Sequence, residues 1–152
     1  MPQVCSEPPR LEIKGEALTP TARSLKYLRD RGFIACKVEQ ILHMPGRPFP
    51  FKKDAFGFGD ILAAQSGMSG IEGFGIYLIQ VTSTGNVSKR CEKIKSDPKV
   101  APFAIKWLQS SGNIHVHGWA KRGPRGKAKR WTLTKKTFSL VSTPTESHLL
   151  IV

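Results

Sequence analysis

Asp60 opens a short apolar run, Ile61-Leu62-Ala63-Ala64, and Gln80 and Thr82 close a second one, Ile76-Tyr77-Leu78-Ile79-Gln80-Val81-Thr82. A carboxylate and a carboxamide oxygen are hard ligands that suit Mg²⁺ or Mn²⁺, and one or two carboxylates with water and phosphate suffice for such an ion. Water bound to a divalent cation ionises far more readily than bulk water, which supplies a nucleophile for phosphodiester cleavage. Glu39 is expected to complete such a site with Asp60, directly or through water, with Asp54 as the alternative third acid, and the Val81 carbonyl is a further oxygen on the same run. Asp54 and Asp60 equally suit plain turn capping around Gly57 and Gly59.

The elements that would position these groups follow from periodicity. Both runs are short, apolar and partly β-branched or aromatic, which predicts buried strands, and Gly67, Gly70, Gly73 and Gly75 predict a hairpin loop between them. Alternation places Gln80 and Thr82 on one face of the second strand, with Tyr77, Ile79 and Val81 on the other. A helix is expected after Pro20, with Thr19 or Thr21 as its cap, Ala22, Leu25 and Leu28 as its stripe and Gly32 as its stop. Phe33 to Val38 reads as a strand, followed by the proline-rich loop His43–Pro50. Asn86 is expected to cap a helix buried through Val87, Cys91 and Ile94. A further helix is expected over about 99–110, buried through Val100, Phe103, Ala104, Trp107 and Leu108. Strands are expected over 114–120, with His115, His117 and Trp119 on one face, over 131–133 and over 138–141.

The paired runs and their flanks resemble the PD-(D/E)xK nuclease superfamily. There an Asp at a strand start faces an acidic-x-Lys tripeptide on the paired strand. The segment ARSLKYLRDRGF, residues 22–33, is similar to the first helix and turn of archaeal-type Holliday junction resolvases. The segments Asp54–Asp60, Gln80-Val81-Thr82 and His117-Gly118-Trp119 are similar to related phage and bacterial proteins. The likeness spans roughly residues 21–131. It implies an α/β fold with a restriction-endonuclease-like core, a central mixed sheet flanked by helices. It implies Mg²⁺ (or Mn²⁺) held by Asp60, Gln80, Glu39 and Asp54, cleavage of DNA including branched DNA, and a homodimer. Two positions depart from the pattern: Gln80 replaces the usual acid and loses its charge, and Thr82 replaces the lysine. A glutamate common early in the first helix is also missing, with Thr21 near its place. Lys53, Lys52 or Lys37 would have to supply the missing cation, or Thr82 would hydrogen-bond a water or phosphate oxygen. The alternatives are a catalytically inactive DNA-binding protein on the same fold, or an RNA-binding protein.

Charge sets the partner class. The 152 residues carry 24 Lys+Arg against 11 Asp+Glu, a formal net charge of +13, which points to a polyanion, nucleic acid before all others. Lys89, Arg90 and Lys93 follow the Gln80 strand, and Lys121, Arg122, Arg125, Lys127, Lys129 and Arg130 form a loop without an acid. With Lys52, these are the expected phosphate contacts, largely independent of base sequence. No apolar run approaches the roughly 18 residues of a spanning helix, so no membrane partner is expected. Cys5, Cys36 and Cys91 are widely spaced and form no CxxC, which reads as reduced thiol in a cytoplasmic protein without a secretory signal. His115-x-His117 could share a zinc ion but has no Cys/His companion cluster, so an ordinary polar strand face is favoured. Pro124 stands where a phosphate loop needs lysine, and no GxSxG or HExxH is present. Residues 1–20 are expected as a loosely ordered arm, 21–142 as the nuclease-like domain, and 143–152 as a C-terminal tail.

Overall fold

A computed structural model describes residues 17–66 and 74–152. The glycine loop predicted from Gly67 to Gly73 and most of the N-terminal arm lie outside these residues.

The first element is α1 (Pro20–Asp30), whose start is fixed by Thr19: its hydroxyl accepts from the Ala22 amide at 3.2 Å, and Pro20 opens the first turn. Gly32, at φ +86°, lets the chain turn into the first strand. Strands β1 (Ile34–Lys37), β4 (Ile61–Gln65) and β5 (Gly75–Ser83) form an antiparallel set. A single 3-10 turn, Thr84–Asn86, then leads into α2 (Val87–Ser96) and α3 (Ala101–Gln109). These carry the chain back to β6 (Asn113–Arg122), which lies parallel to β5. Strands β7 (Arg130–Ser142) and β8 (Ser147–Ile151) add antiparallel neighbours, giving a six-stranded mixed sheet of order β1-β4-β5-β6-β7-β8. The protein is therefore α/β, with one mixed sheet and three helices among the described residues.

The sheet separates two cores, as alternation requires. Tyr77, Ile79 and Val81 of β5 join Leu28, Phe33, Ile61, Ala63 and Trp119 beneath α1. Leu78 of the same strand joins Val87, Cys91, Ile94, Val100, Ala104, Ile114, Val116 and Phe138 beneath α2 and α3. Residues 77–82 are buried throughout, as expected of a central strand covered on both faces. Gly118 lets α2 come down on the sheet: a Cβ there would run into Val87 Cγ2 and lie 3.1 Å from Thr84 Cα. That contact seats the 3-10 turn and the start of α2 directly over Thr82, whose register partner is Gly118.

Three expectations need correction, and a short ribbon and an edge strand stand outside them. Residues 131–133 and 138–141 are parts of one strand, β7, whose middle is polar and solvent-facing and so lacks the apolar alternation that marks a strand. Two short strands, β2 (Gln40–Leu42) and β3 (Phe51–Lys53), pair as a separate antiparallel ribbon around the proline-rich loop. Phe103 is half exposed; it stacks on Phe56 at a centroid distance of 5.8 Å and stays out of the core. Asn86 occupies the N-cap position of α2 but makes no capping bond, since its Nδ2 donates to Ser83 Oγ at 3.1 Å. The C-terminal residues from Ser147 onward pair with β7 and complete the sheet edge, with Val152 exchanging backbone bonds with Thr137.

Candidate functional site

Asp60 precedes β4 and faces β5 across the antiparallel ladder, where Ile61 pairs with Ile79. Its backbone is held on both sides: its amide donates to the Ile79 carbonyl at 2.9 Å and its carbonyl accepts from the Val38 amide at 2.9 Å. Its carboxylate Oδ2 accepts from Gln80 Nε2 at 2.6 Å and from the Val81 amide at 2.7 Å. The Asp54 side chain lies within hydrogen-bonding reach of it. The turn that returns Asp54 towards Asp60 is closed by paired bonds between Ala55 and Gly59 and contains Phe56 and Gly57 at positive φ. Gly59 presses against the Leu78 side chain, so any larger residue would push Asp60 away from β5.

Burial pushes the Asp60 carboxyl up to about 6 from its ordinary 3.8. The Val81 amide opposes this, while the negative charges of Asp54 and Glu39 add to it. Gln80 is itself buried; its Nε2 serves Asp60, with a longer contact of 3.4 Å to the Val81 carbonyl, and its Oε1 has no hydrogen-bond partner. A buried carboxamide oxygen without a donor is costly, and it sits beside a carboxylate. Thr82 lies two residues further on the same face, buried opposite Gly118.

Glu39 lies on the segment that links β1 to the β2–β3 ribbon, its side chain nearly enclosed. It pairs with Lys37 Nζ at 2.7 Å and Lys52 Nζ at 2.9 Å. The Lys37 hydrogen bond holds its carboxyl below the usual carboxylate range despite burial. Lys52 also feels the charges of Asp60 and Asp54, and Glu39 holds its ammonium group above the usual value. Lys52 is thus the ribbon cation directed at the acids, and Lys53, next in the strand, alternates to the other face. Glu39, Asp54, Asp60, Gln80 and Lys52 are brought into one neighbourhood; Thr82 borders it and Lys53 does not face it.

A second cluster lies on α2. Asn86, Lys89, Arg90 and Lys93 line a cavity of about 330 Å³. Lys93 Nζ donates to the Gly57 carbonyl at 3.0 Å, tying this helix to the turn that carries Asp54 and Asp60. The remaining basic residues form the β6–β7 hairpin: Arg122 pairs with Arg130 in register, and Arg125, Lys127 and Lys129 are exposed on the connecting turn. Lys121 pairs with Trp131, its ammonium 5.5 Å from the ring centroid, and Arg23 of α1 lies over the same ring at 3.9 Å.

His117 and His115 belong to the α1 core. His117 is fully buried, its Nδ1 lies 3.1 Å from Ser24 Oγ, and Trp119 Nε1 donates to the same oxygen at 2.8 Å. Burial lowers the His117 pKa to about 3, with His115 and Lys135 adding to the effect, so the ring is neutral. Its Nε2 has no hydrogen-bond partner. The two histidine rings stack at 6.1 Å. Ser24 and the Arg23–Trp131 pair had no signal in the sequence beyond their position, and Asn86 signalled a helix cap and not a cavity wall. Arg23 could be placed near β7 only once the sheet order was known.

Among the described residues, no group of three or more His, Cys, Asp or Glu side chains is arranged to hold a metal ion. No helix among them is long and apolar enough to cross a membrane. Comparison with known protein families, curated proteins and solved structures gives no match.

Proposed function

We propose that this protein is a Mg²⁺-dependent DNA endonuclease of the PD-(D/E)xK type, built on a restriction-endonuclease-like core. The observation that carries the reading is the meeting of the Asp60 carboxylate with Gln80 and the Val81 amide across β4 and β5, at 2.6 and 2.7 Å, with Asp54 and Glu39 beside it. The sequence resemblance implies an acid at a strand start facing an acidic-x-Lys segment on the paired strand, and here Gln80-Val81-Thr82 stands in the place of that segment. The element order of helix, three antiparallel strands, helices and a parallel strand agrees with a central mixed sheet flanked by helices.

The donor chemistry fits a hard cation. Asp60 supplies the carboxylate, and the partnerless Oε1 of Gln80 is an oxygen that an amide rotation would turn towards it. Glu39, already paired with Lys37 and Lys52, or Asp54 would complete the site through water. The cation would supply an ionised water for attack on a phosphodiester. The protein's own part is to keep Asp60 partly desolvated, which strengthens its interactions, and to anchor the DNA backbone on α2 and the β6–β7 hairpin. Lys52 is the cation best placed to take the role of the lysine that Thr82 replaces.

Incubation with supercoiled, linear and four-way-junction DNA, in Mg²⁺, Mn²⁺ or EDTA, tests this. Metal-dependent nicking that disappears in Asp60→Ala is expected. One observation favours a second reading, a DNA-binding protein without chemistry: Thr82 is a buried neutral side chain, and Asp60 already has two donors. Salt-sensitive binding with no cleavage in any metal would establish that reading. A marked preference for RNA over DNA would replace both.

A further inference from the structure

The α2 cavity has features that a surface for backbone phosphodiesters does not require. Lys89 and Arg90 lie in the first turn of a ten-residue helix, where positive charge opposes the helix dipole. The first turn holds no acidic residue and the N-cap side chain makes no capping bond; the Val87 amide donates instead to the Thr84 carbonyl of the preceding 3-10 turn. Lys93, one turn on, lines the same cavity and is fixed by its bond to the Gly57 carbonyl. The nearest acid on the helix, Glu92, is exposed and accepts from Ser96 Oγ, down the helix from the cavity. Three cations thus converge on about 330 Å³, at the small end of ligand-sized clefts.

A phosphodiester brings one negative charge; a phosphomonoester brings nearly two, with three acceptor oxygens. Three cations match the monoester in charge and in acceptor number. We propose that the cavity bounded by Asn86, Lys89, Arg90 and Lys93 binds a phosphomonoester, the terminal phosphate of a nucleic-acid strand at an end, nick or flap. Lys93 joins the cavity to the Asp54–Asp60 turn, so the strand end is held next to the acids. This rests on the reading of the chain as a nucleic-acid protein, and it adds strand ends to the substrate class.

The test uses the full chain in EDTA, where metal-dependent cleavage cannot intervene. Fluorescence anisotropy compares single-stranded oligonucleotides of one sequence with a 5′-phosphate, a 3′-phosphate or hydroxyls at both ends. One of the phosphorylated forms is expected to bind about ten-fold or more tightly than the hydroxyl form. That ratio falls to near one in the Lys89→Gln, Arg90→Gln double variant. It persists in Lys127→Gln, Lys129→Gln, where both affinities drop together. Equal binding of all three oligonucleotides by the wild-type chain, or a ratio that survives in the α2 variant, overturns the proposal. If no oligonucleotide binds at all, the nucleic-acid reading fails by itself, and inorganic phosphate decides the cavity. A thermal stabilisation by phosphate that the α2 variant lacks supports a phosphomonoester site; no stabilisation overturns it.

Discussion

Replacing Asp60 by Asn should make the protein more stable, and increasingly so as pH rises. The folded chain holds the Asp60 proton more tightly than an unfolded chain does, since burial lifts its pKa from 3.8 to about 6. Folding therefore becomes less favourable as pH climbs from about 4 to about 6, and the deficit is constant above that. A rise of this size corresponds to about 3 kcal/mol, and the remaining exposure of the group brings the expected value to roughly 2 kcal/mol. Asparagine keeps the shape. Its oxygen, in the place of Oδ2, can accept from both the Val81 amide and Gln80 Nε2. Urea denaturation followed by circular dichroism, at intervals between pH 4 and pH 8, should show Asp60→Asn gaining about 1–3 kcal/mol at pH 8 and almost nothing at pH 4. Glu39 acts in the opposite sense in both proteins, its stabilisation fading only as pH falls below its ordinary 4.5, so the difference between the proteins isolates Asp60. Mg²⁺ should stabilise the wild-type chain at pH 8 and leave Asp60→Asn unmoved. A variant that is no more stable at pH 8, or a gain independent of pH, would refute the claim that Asp60 is an expensively buried carboxylate.

Three further outcomes are expected. Gly118→Ala drives a methyl into Val87 and the Thr84 backbone, and should cost about 1–3 kcal/mol in denaturant unfolding; a neutral result would mean α2 does not rest on β6. Ser24→Ala strips the buried partner from both His117 and Trp119 and should cost about 1–3 kcal/mol, with a shift in tryptophan fluorescence as the second readout. DNA affinity should fall steeply between 50 and 200 mM salt, and neutralising Arg125, Lys127 and Lys129 together should flatten the slope of log affinity against log salt by up to about 3; an unchanged slope would remove the hairpin from the interface.

The parts of the fold that could be read from the chain are those where local chemistry and burial agree. Thr19, Pro20 and Gly32 bracket α1 because a cap and a left-handed stop are local demands. The alternation of β5 separated Gln80 and Thr82 from Tyr77, Ile79 and Val81, and the structure sends those two sets to opposite faces. Once Asp60 begins one strand and Gln80 nears the end of the next, an antiparallel hairpin brings them together without further information. The β2–β3 ribbon could not be read, since its two strands are three residues each, mostly exposed and separated by prolines. The length of β7 was hidden for a related reason: it reaches beyond the helices into solvent, where nothing imposes an apolar period. Long-range partners such as Arg23 with Trp131, or Ser24 with His117, depend on the order of strands in the sheet and leave no trace in local spacing.

On the proposed reading, an amide at Gln80 where an acid is expected bears on why Asp60 can be buried at all. A glutamate at this position would set a second charge about 2.6 Å from Oδ2, with Asp54 and Glu39 already adding their repulsion. Without a cation, two carboxylates that close cannot both stay ionised. The amide removes that conflict: it donates to Asp60 when no cation is present and, by rotating, presents Oε1 when one is. In the proposed reading the site therefore exists in two states that differ by one amide rotation. In that reading the amide also takes away a negative charge for a cation, so affinity for Mg²⁺ would be lower than a paired-acid site gives and would rest more on the DNA phosphate itself. Cation, phosphate and protein then assemble together. Lys93 tethers α2 to the turn that carries Asp54 and Asp60. If the strand is held on α2, its phosphates arrive beside Asp60 through that tether.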